Sequence, residues 1–364
     1  MSNDIKAISL FSGGLDSILA TRLVMEQGIY VVAVQFVTPF FNHEILRDVE
    51  GHTKRIYEKY GVNVKVVDIS RDYMELLSKP VYGFGKNFNP CVDCKIFMLK
   101  YAKELMVEIG AKFLFTGEVL GQRPMSQRRD TLNVIERDSG NKTVLLRPLS
   151  AKLMKETEAE LEGWVDRSLL KDFSGRGRSN QIALAKEYGI TDYPTPGGGC
   201  LLADPILSKR IKRIYEGEFT FSVDEADVDD IELLLVGRQL LVPLSLAQTV
   251  TDGVNIDVEN SGYWVIVGRD EAENERLGQL AGKDDILLSM EERPGPTVLL
   301  RRVGNTPQKE QQKLVEIAAS LVVRYGRKIE GAYPPAEVFV LKAGVKTALQ
   351  AKCLEDKVFK EWIF

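Results

Sequence analysis

The chain has 364 residues, about twice the length of a typical domain, so two or more domains are expected. Hydrophobic residues at 44% and charged residues at 27% exclude a disordered or fibrous chain, and a net charge of −4 gives no whole-chain basic character that would announce a nucleic-acid partner. The charge is uneven: residues 1–220 hold 31 Lys/Arg against 28 Asp/Glu, and residues 221–364 hold 17 against 24. No apolar run approaches the ~18 residues of a membrane helix. The polar start is followed by too short an apolar run for a signal peptide. A cytoplasmic protein without membrane contact is therefore expected. The four cysteines, Cys91, Cys94, Cys200 and Cys353, are too few for a disulfide framework, and in a reducing compartment they are candidate ligands or nucleophiles.

In chain order, 6–11 (KAISLF) reads as a strand running into glycines, and 16–27 as a helix with Ile18, Leu19, Leu23 and Val24 on one face. The stretch 30–38 (YVVAVQFVT) is a buried strand, 43–60 a polar helix, 63–70 (NVKVVDIS) a strand and 94–109 a helix. Segments 113–117 (FLFTG) and 143–149 (TVLLRPL) add two strands. This alternation predicts parallel pairing with right-handed crossovers, hence an α/β, doubly wound sheet whose ligands bind beyond the carboxyl ends of the strands. Residues 172–181 (DFSGRGRSNQ) and 193–200 (YPTPGGGC) read as loops, and 207–215 as a basic helix. The acidic run 224–230 marks the expected boundary between a domain at 1–222 and a smaller α+β domain at 223–364. Strands at 262–268 and 297–303 and a helix at 308–324 fall in the latter.

The first strand leads directly into Ser12-Gly13-Gly14-Leu15-Asp16-Ser17 and a helix. Glycines allow a tight turn that presents backbone N–H groups, Ser12 and Ser17 add hydroxyls, and the helix N-terminus adds its positive end, together making an anion site. Asp16 would repel a phosphate unless Mg²⁺ lay between them, so it reads as a metal-bridging group. The plainer alternative is a Gly-rich turn with Asp16 as a capping charge. The hexapeptide SGGLDS resembles the PP-loop of the ATP pyrophosphatase superfamily. That resemblance implies cleavage of ATP between its α and β phosphates and adenylation of a carbonyl oxygen, with the acceptor left open.

In 89–94 (NPCVDC), Pro90 sets Cys91 and Cys94 at a helix N-terminus, where the dipole favours thiolate. Cys200 follows Gly197-Gly198-Gly199, which permits close approach and movement. Three thiolates can hold three irons of a 4Fe–4S cluster and leave the fourth open to sulfide. Alternatively, one cysteine carries a persulfide that another resolves, or all three are buried as small apolar residues. A Zn²⁺ site lacks a fourth ligand, because His43 and His52, the only histidines, read as surface residues. Cys353 reads as an unrelated thiol.

The series Thr116-Gly117-Glu118-Val119-Leu120-Gly121-Gln122, Ser126-Gln127 and Leu146-Arg147-Pro148-Leu149 resembles the catalytic domain of tRNA 4-thiouridine synthetases. NPCxxC is also similar to the tRNA 2-thiouridylase family, and CxxC with one distant cysteine matches the iron–sulfur members of both. The resemblance spans about residues 5–215. It implies an adenine-nucleotide alpha-hydrolase-like fold. It also implies ATP phosphates on Ser12, Gly13, Gly14, Asp16 and Ser17, a nucleotide pocket lined by Gly117 and Gln122, and cluster or sulfur on Cys91, Cys94 and Cys200. Asp16, Cys94 and Cys200 are then the catalytic set. The sequence departs from the family pattern: no THUMP region precedes the loop, no rhodanese domain follows, and Arg123-Pro124-Met125 is one residue longer.

Residues 263–300 resemble the NFACT-type RNA-binding domain through Gly268-Arg269, Asn274, Asp284-Asp285 and Pro294-Gly295, with Ser289 and Thr297 standing where that family has histidines. Basic clusters at Arg123, Arg128 and Arg129, at Arg176 and Arg178, at 209–213, at Arg301-Arg302 and at 324–328 are candidates to track an RNA backbone. Each cluster taken singly is equally well a solvated face. The expectation is an ATP-dependent tRNA sulfurtransferase that uses ATP, Mg²⁺ and a 4Fe–4S cluster. It would act on tRNA with sulfide or a persulfide carrier as sulfur donor, and a homodimer is possible. The alternatives are a PP-loop enzyme acting on a small molecule, as an amide ligase or thiolase, and a non-enzymatic RNA-binding adaptor.

Overall fold

The computed structural model describes residues 5–194, 200–247 and 261–364. The chain divides into two compact units, Met1–Asp204 and Pro205–Phe364. In the first unit the order is β1 (Lys6–Leu10), α1 (Leu15–Met25), β2 (Tyr30–Val37), α2 (Val49–Tyr60), β3 (Val64–Asp68), α3 (Ser70–Ser78) and α4 (Cys91–Glu108). It continues with β4 (Phe113–Thr116), α5 (Arg129–Asp138), β5 (Leu145–Leu146), the short α6 (Glu158–Leu161) and α7 (Ser179–Glu187).

These strands form one parallel sheet in the order β3-β2-β1-β4-β5. Ile8 lies opposite Val32 on one side and Leu114 on the other. The chain builds outward from β1 through β2 to β3, then returns through α4 and lays β4 against the free side of β1. The reversal in strand order therefore falls between β1 and β4, where such sheets open their ligand crevice. Strand β1 is buried at Ala7 and Ile8, and α1 buries residues around most of its circumference, including Leu15, Ile18, Leu19 and Val24. Both belong to the middle of the α/β sandwich.

The predicted helix 43–60 is broken. Its first residues, His43–Arg47, form a 3₁₀ turn, and α2 starts after Asp48, whose carboxylate accepts from the Gly51 N–H at 2.9 Å. The predicted strand 143–149 is paired only at Leu145–Leu146, because Arg147 turns inward to a buried carboxylate. Helices α3 and α5 were not foreseen, and Ser179–Gln181, expected in a loop, open α7.

The second unit contains α8 (Pro205–Tyr215), α9 (Val228–Leu233), β6 (Arg238–Pro243), α10 (Leu244–Ala247), β7 (Gly262–Val267) and α11 (Glu271–Leu280). It ends with β8 (Ile286–Ser289), β9 (Val298–Leu300), α12 (Gln308–Tyr325), β10 (Ala336–Lys342), β11 (Val345–Ala351) and α13 (Asp356–Phe359). Its six-stranded antiparallel sheet runs β11-β10-β8-β9-β7-β6. Leu314, Ala318, Leu321 and Val322 of α12 share a core with Val265, Leu288, Leu300 and Val338 of the sheet. The units divide after Asp204 and not at 222/223. Helix α8 is tied into the second unit by Arg210, which donates to the Leu234 carbonyl at 2.9 Å. The acidic run is no linker: Asp227 and Asp230 form a capping box on α9, and Asp230 is fully buried. Among the described residues no helix is long and apolar enough to cross a membrane.

Candidate active site

The SGGLDS loop leaves the carboxyl end of β1 and enters α1 with no side-chain cap on the helix N-terminus. Its amides therefore remain available to an anion. Gly13 takes φ +74°, a conformation open to glycine, with the Gln35 amide directly beneath it. The Ser17 hydroxyl donates to the Gly14 carbonyl at 2.8 Å and accepts from Ser12 at 3.3 Å, which fixes both hydroxyls inside the loop. A Cβ on Gly117 would lie 2.5 Å from the backbone of Asp16 and Ser17. This glycine thus lets the end of β4 press against the start of α1.

Asp16 is the meeting point of three segments distant in sequence. Its Oδ2 accepts from Gln122 Nε2 at 2.7 Å and lies 3.6 Å from Arg178 Nη2. Gln181, almost fully buried, donates to Gln122 Oε1 at 3.0 Å. Asp16 Oδ1 is buried and has no hydrogen-bond partner among the described residues. An unpaired carboxylate oxygen within an anion loop is the donor a hard cation needs, so the residues present fit Mg²⁺. Arg178, expected to track RNA, faces this carboxylate. This role of Arg178 and that of Gln181 escaped the sequence reading because contacts with residues far away in the chain leave no periodicity to read. His52, expected on the surface, bonds through Nε2 to Gln35 Oε1 at 2.9 Å, and burial pushes its imidazole below the ordinary pKa.

Beside the loop lies an ion network that sequence reasoning missed, although two of its members sit in quoted motifs. Glu118 and Arg147 are both buried and meet at 3.1 Å. Arg147 also pairs with Glu136, and Lys95 reaches Glu118 Oε1 at 3.5 Å. Burial pushes the Glu118 carboxyl up, but Lys95 and Arg147 outweigh it and hold the group below its ordinary value. Lys95 directly follows Cys94, so the network joins the cysteine-bearing helix to the loop that packs on Asp16.

Helix α4 begins at Cys91 with Pro90 as its cap residue, as expected. Asp93, between the two cysteines, is structural: its carboxylate accepts from the Val81 N–H at 2.9 Å and the Tyr82 N–H at 3.0 Å. Cys200 opens the short turn Leu201–Ala203, held by Leu201 N–H on the Phe40 carbonyl at 3.3 Å and by Asn87 on the Ala203 carbonyl at 2.7 Å. The glycine triplet 197–199 lies outside the described residues.

Cys91, Cys94 and Cys200 lie within electrostatic reach of one another, while Cys353 belongs to the second unit. Burial pushes Cys94 up to about 11, although the neighbouring Tyr73 hydroxyl and the charge of Lys95 oppose it, and burial pushes Cys200 up to about 12. Desolvation thus works against the thiolate form at these two cysteines.

Among the described residues no three His, Cys, Asp or Glu side chains converge closely enough to hold one metal ion. A cubane places its three protein-held irons at separate corners, so its thiolates stand further apart than the ligands of a single ion. Three thiols are the donor type that a 4Fe–4S cluster takes, whereas Zn²⁺ would need a fourth ligand beside them.

In the second unit the motif residues are engaged with one another. Arg269 pairs with Glu273. The Asn274 side chain accepts from Thr297 N–H at 2.8 Å and fills the space that a Cβ on Gly268 would take. Arg301 is buried against Asp230 at 2.7 Å and Asp285 at 2.8 Å, and Arg302 reaches Asp227 and Asp230 at 2.8 Å. The Arg301-Arg302 pair, read as a candidate RNA-tracking cluster, is neutralised by the acidic run expected to mark the domain boundary. Asn274, Ser289 and Thr297 line one cavity of about 270 Å³ with Phe339 and Lys346.

Residues 3–159 match the thiamine biosynthesis protein (ThiI) family, and residues 258–363 match the NFACT protein RNA binding domain. A probable tRNA sulfurtransferase of Thermococcus kodakarensis is 30% identical over 134 residues, 37% of this chain and 34% of that protein. The chain thus spans about a third of the length of such curated relatives. A 4-thiouridine synthetase–RNA complex with bound ATP aligns at 20% identity and TM-score 0.37, over 63% of this chain and 49% of that one. The U34-tRNA thiolase NcsA from Methanococcus maripaludis with its [4Fe-4S] cluster aligns at 18% identity and TM-score 0.33, over 63% and 80%. Residues 3–159 accordingly resemble the ThiI family, and residues 258–363 resemble the NFACT RNA-binding domain.

Proposed function

We propose that the chain is an ATP-dependent tRNA sulfurtransferase that replaces a uridine carbonyl oxygen with sulfur. The observation that carries this reading is the edge shared by two chemistries. The anion loop with its unpaired Asp16 oxygen and the three-cysteine cluster are joined through Gly117, Glu118 and Lys95. An enzyme that only splits ATP has no use for the second feature.

On this reading the Ser12–Ser17 amides and hydroxyls bind the triphosphate. Asp16 would hold Mg²⁺, while Gln122, itself held by Gln181, and Arg178 fix the carboxylate at Oδ2. The uridine carbonyl oxygen attacks the α-phosphorus, the α–β bridge breaks and pyrophosphate leaves. The adenylated carbon then accepts sulfur, and AMP departs with the former carbonyl oxygen. A 4Fe–4S cluster on Cys91, Cys94 and Cys200 would supply an open iron to carry that sulfur as sulfide. The base must be unpaired or flipped to reach such a pocket. The NFACT-type unit is proposed to hold RNA on the face around Asn274, Ser289 and Thr297, since Arg301 and Arg302 are occupied internally.

The test is Asp16→Asn. AMP and pyrophosphate formation in the presence of tRNA should fall about a hundredfold or more, with tRNA affinity unchanged. Wild-type AMP formation by the variant would sink the assignment.

A further inference from the structure

Tyr73 lies on α3, outside every motif that pointed to the site, and it is fully buried. Its ring is wedged between Phe40, at 5.7 Å, and Phe41, at 5.6 Å and perpendicular. Phe40 in turn receives the Leu201 amide next to Cys200. The hydroxyl completes no well-formed hydrogen bond among the described residues. It interacts with the Cys94 thiol and lies within electrostatic reach of Cys200 and Cys91. Burying a hydroxyl this way is unfavourable, and a core position packed only for shape would be served by phenylalanine. The group is thus an unspent donor beside sulfur.

We propose that Tyr73 is a positioning residue of the sulfur site, its hydroxyl donating a hydrogen bond to the sulfur held at Cys94. The inference rests on the sulfurtransferase reading and adds a residue to it. A donor aimed at a thiolate sulfur stabilises negative charge there, whether that sulfur ligates iron or awaits a persulfide. On a cluster ligand such a bond favours the reduced, more negative state, a known way for a protein to set cluster potential. Phe40 and Phe41 hold the ring in place.

The experiment compares the full-length wild-type protein with Tyr73→Phe after anaerobic reconstitution with iron and sulfide. Phenylalanine keeps the ring and removes only the donor. Iron content and thermal midpoint should match wild type, while the cluster's reduction potential moves to a more negative value and its electron paramagnetic resonance spectrum shifts. Unchanged potential and spectrum in an iron-replete variant overturn the proposal. Iron content of the wild type separately tests the cluster reading. If the wild type is active and free of iron, the measurement becomes the rate of Cys94 alkylation by iodoacetamide at fixed pH, followed by peptide mass spectrometry. A several-fold slower reaction in Tyr73→Phe then supports the hydrogen bond, and an equal or faster one overturns it.

Discussion

At the carboxyl edge of the parallel sheet, Asp16 Oδ1 and the Tyr73 hydroxyl are buried without a well-formed hydrogen bond. In the antiparallel unit, Arg301 alone meets three carboxylates and Arg302 closes two of the same pairs. Leaving a buried polar group unmade costs about 1–3 kcal/mol. At these two atoms of the first unit a ligand would repay that cost, while the Arg301-Arg302 cluster of the second unit is met internally by carboxylates. The contrast teaches where to look for chemistry: a charge cluster in the sequence says little until its partners are known, and an orphaned buried atom says a good deal.

The largest effect that tests this contrast should come from the cysteines. Serine at Cys91, Cys94 or Cys200 should each abolish thiolation and bound iron, and Cys353→Ser should change neither. Full activity in either CxxC variant with iron-free protein would replace the cluster by persulfide chemistry. Next comes Arg301→Leu, which strands Asp230 and Asp285 in the core. It should destabilise the second unit by about 3–5 kcal/mol, read as a lower thermal midpoint, while AMP formation per folded molecule at low temperature stays near wild type.

Gly117→Ala sets a methyl group 2.5 Å from the Asp16 backbone and must shift the loop. A fall in AMP formation of at least tenfold is expected, and an unaffected rate would show that the β4–α1 contact does not shape the site. The smallest effect is expected from Arg269→Gln. This exposed pair with Glu273 contributes about 0.3–0.5 kcal/mol, so stability should barely move. A marked loss of tRNA affinity in that variant would show that Arg269 exchanges its carboxylate for phosphate.

A pH series offers a further check on the first unit. The Glu118 carboxyl is held below its ordinary value. Its contribution to stability is therefore present above the unfolded-state carboxyl pKa of about 4.3 and is lost as pH falls through the lower folded value. Glu118→Gln should remove that acid-limb dependence, measured as the slope of the thermal midpoint against pH below neutrality.

Local sequence determined the strand–SGGLDS–helix unit, the alternation that builds a parallel sheet, and the placing of Cys91 and Cys94 at the mouth of α4. Hydrophobic periodicity, glycine and proline act within a few residues, so their consequences can be read along the chain. Only the tertiary structure decided that Gln122, Arg178 and Gln181 converge on Asp16. The same holds for the buried network of Glu118, Arg147 and Lys95, and for the Tyr73 hydroxyl beside Cys94. It also decided that the acidic run before residue 231 belongs to the arginines at 301 and 302. These are pairings between side chains far apart in sequence, fixed by strand order and by the requirement that buried charge find a partner, and neither leaves a local mark on the residues involved.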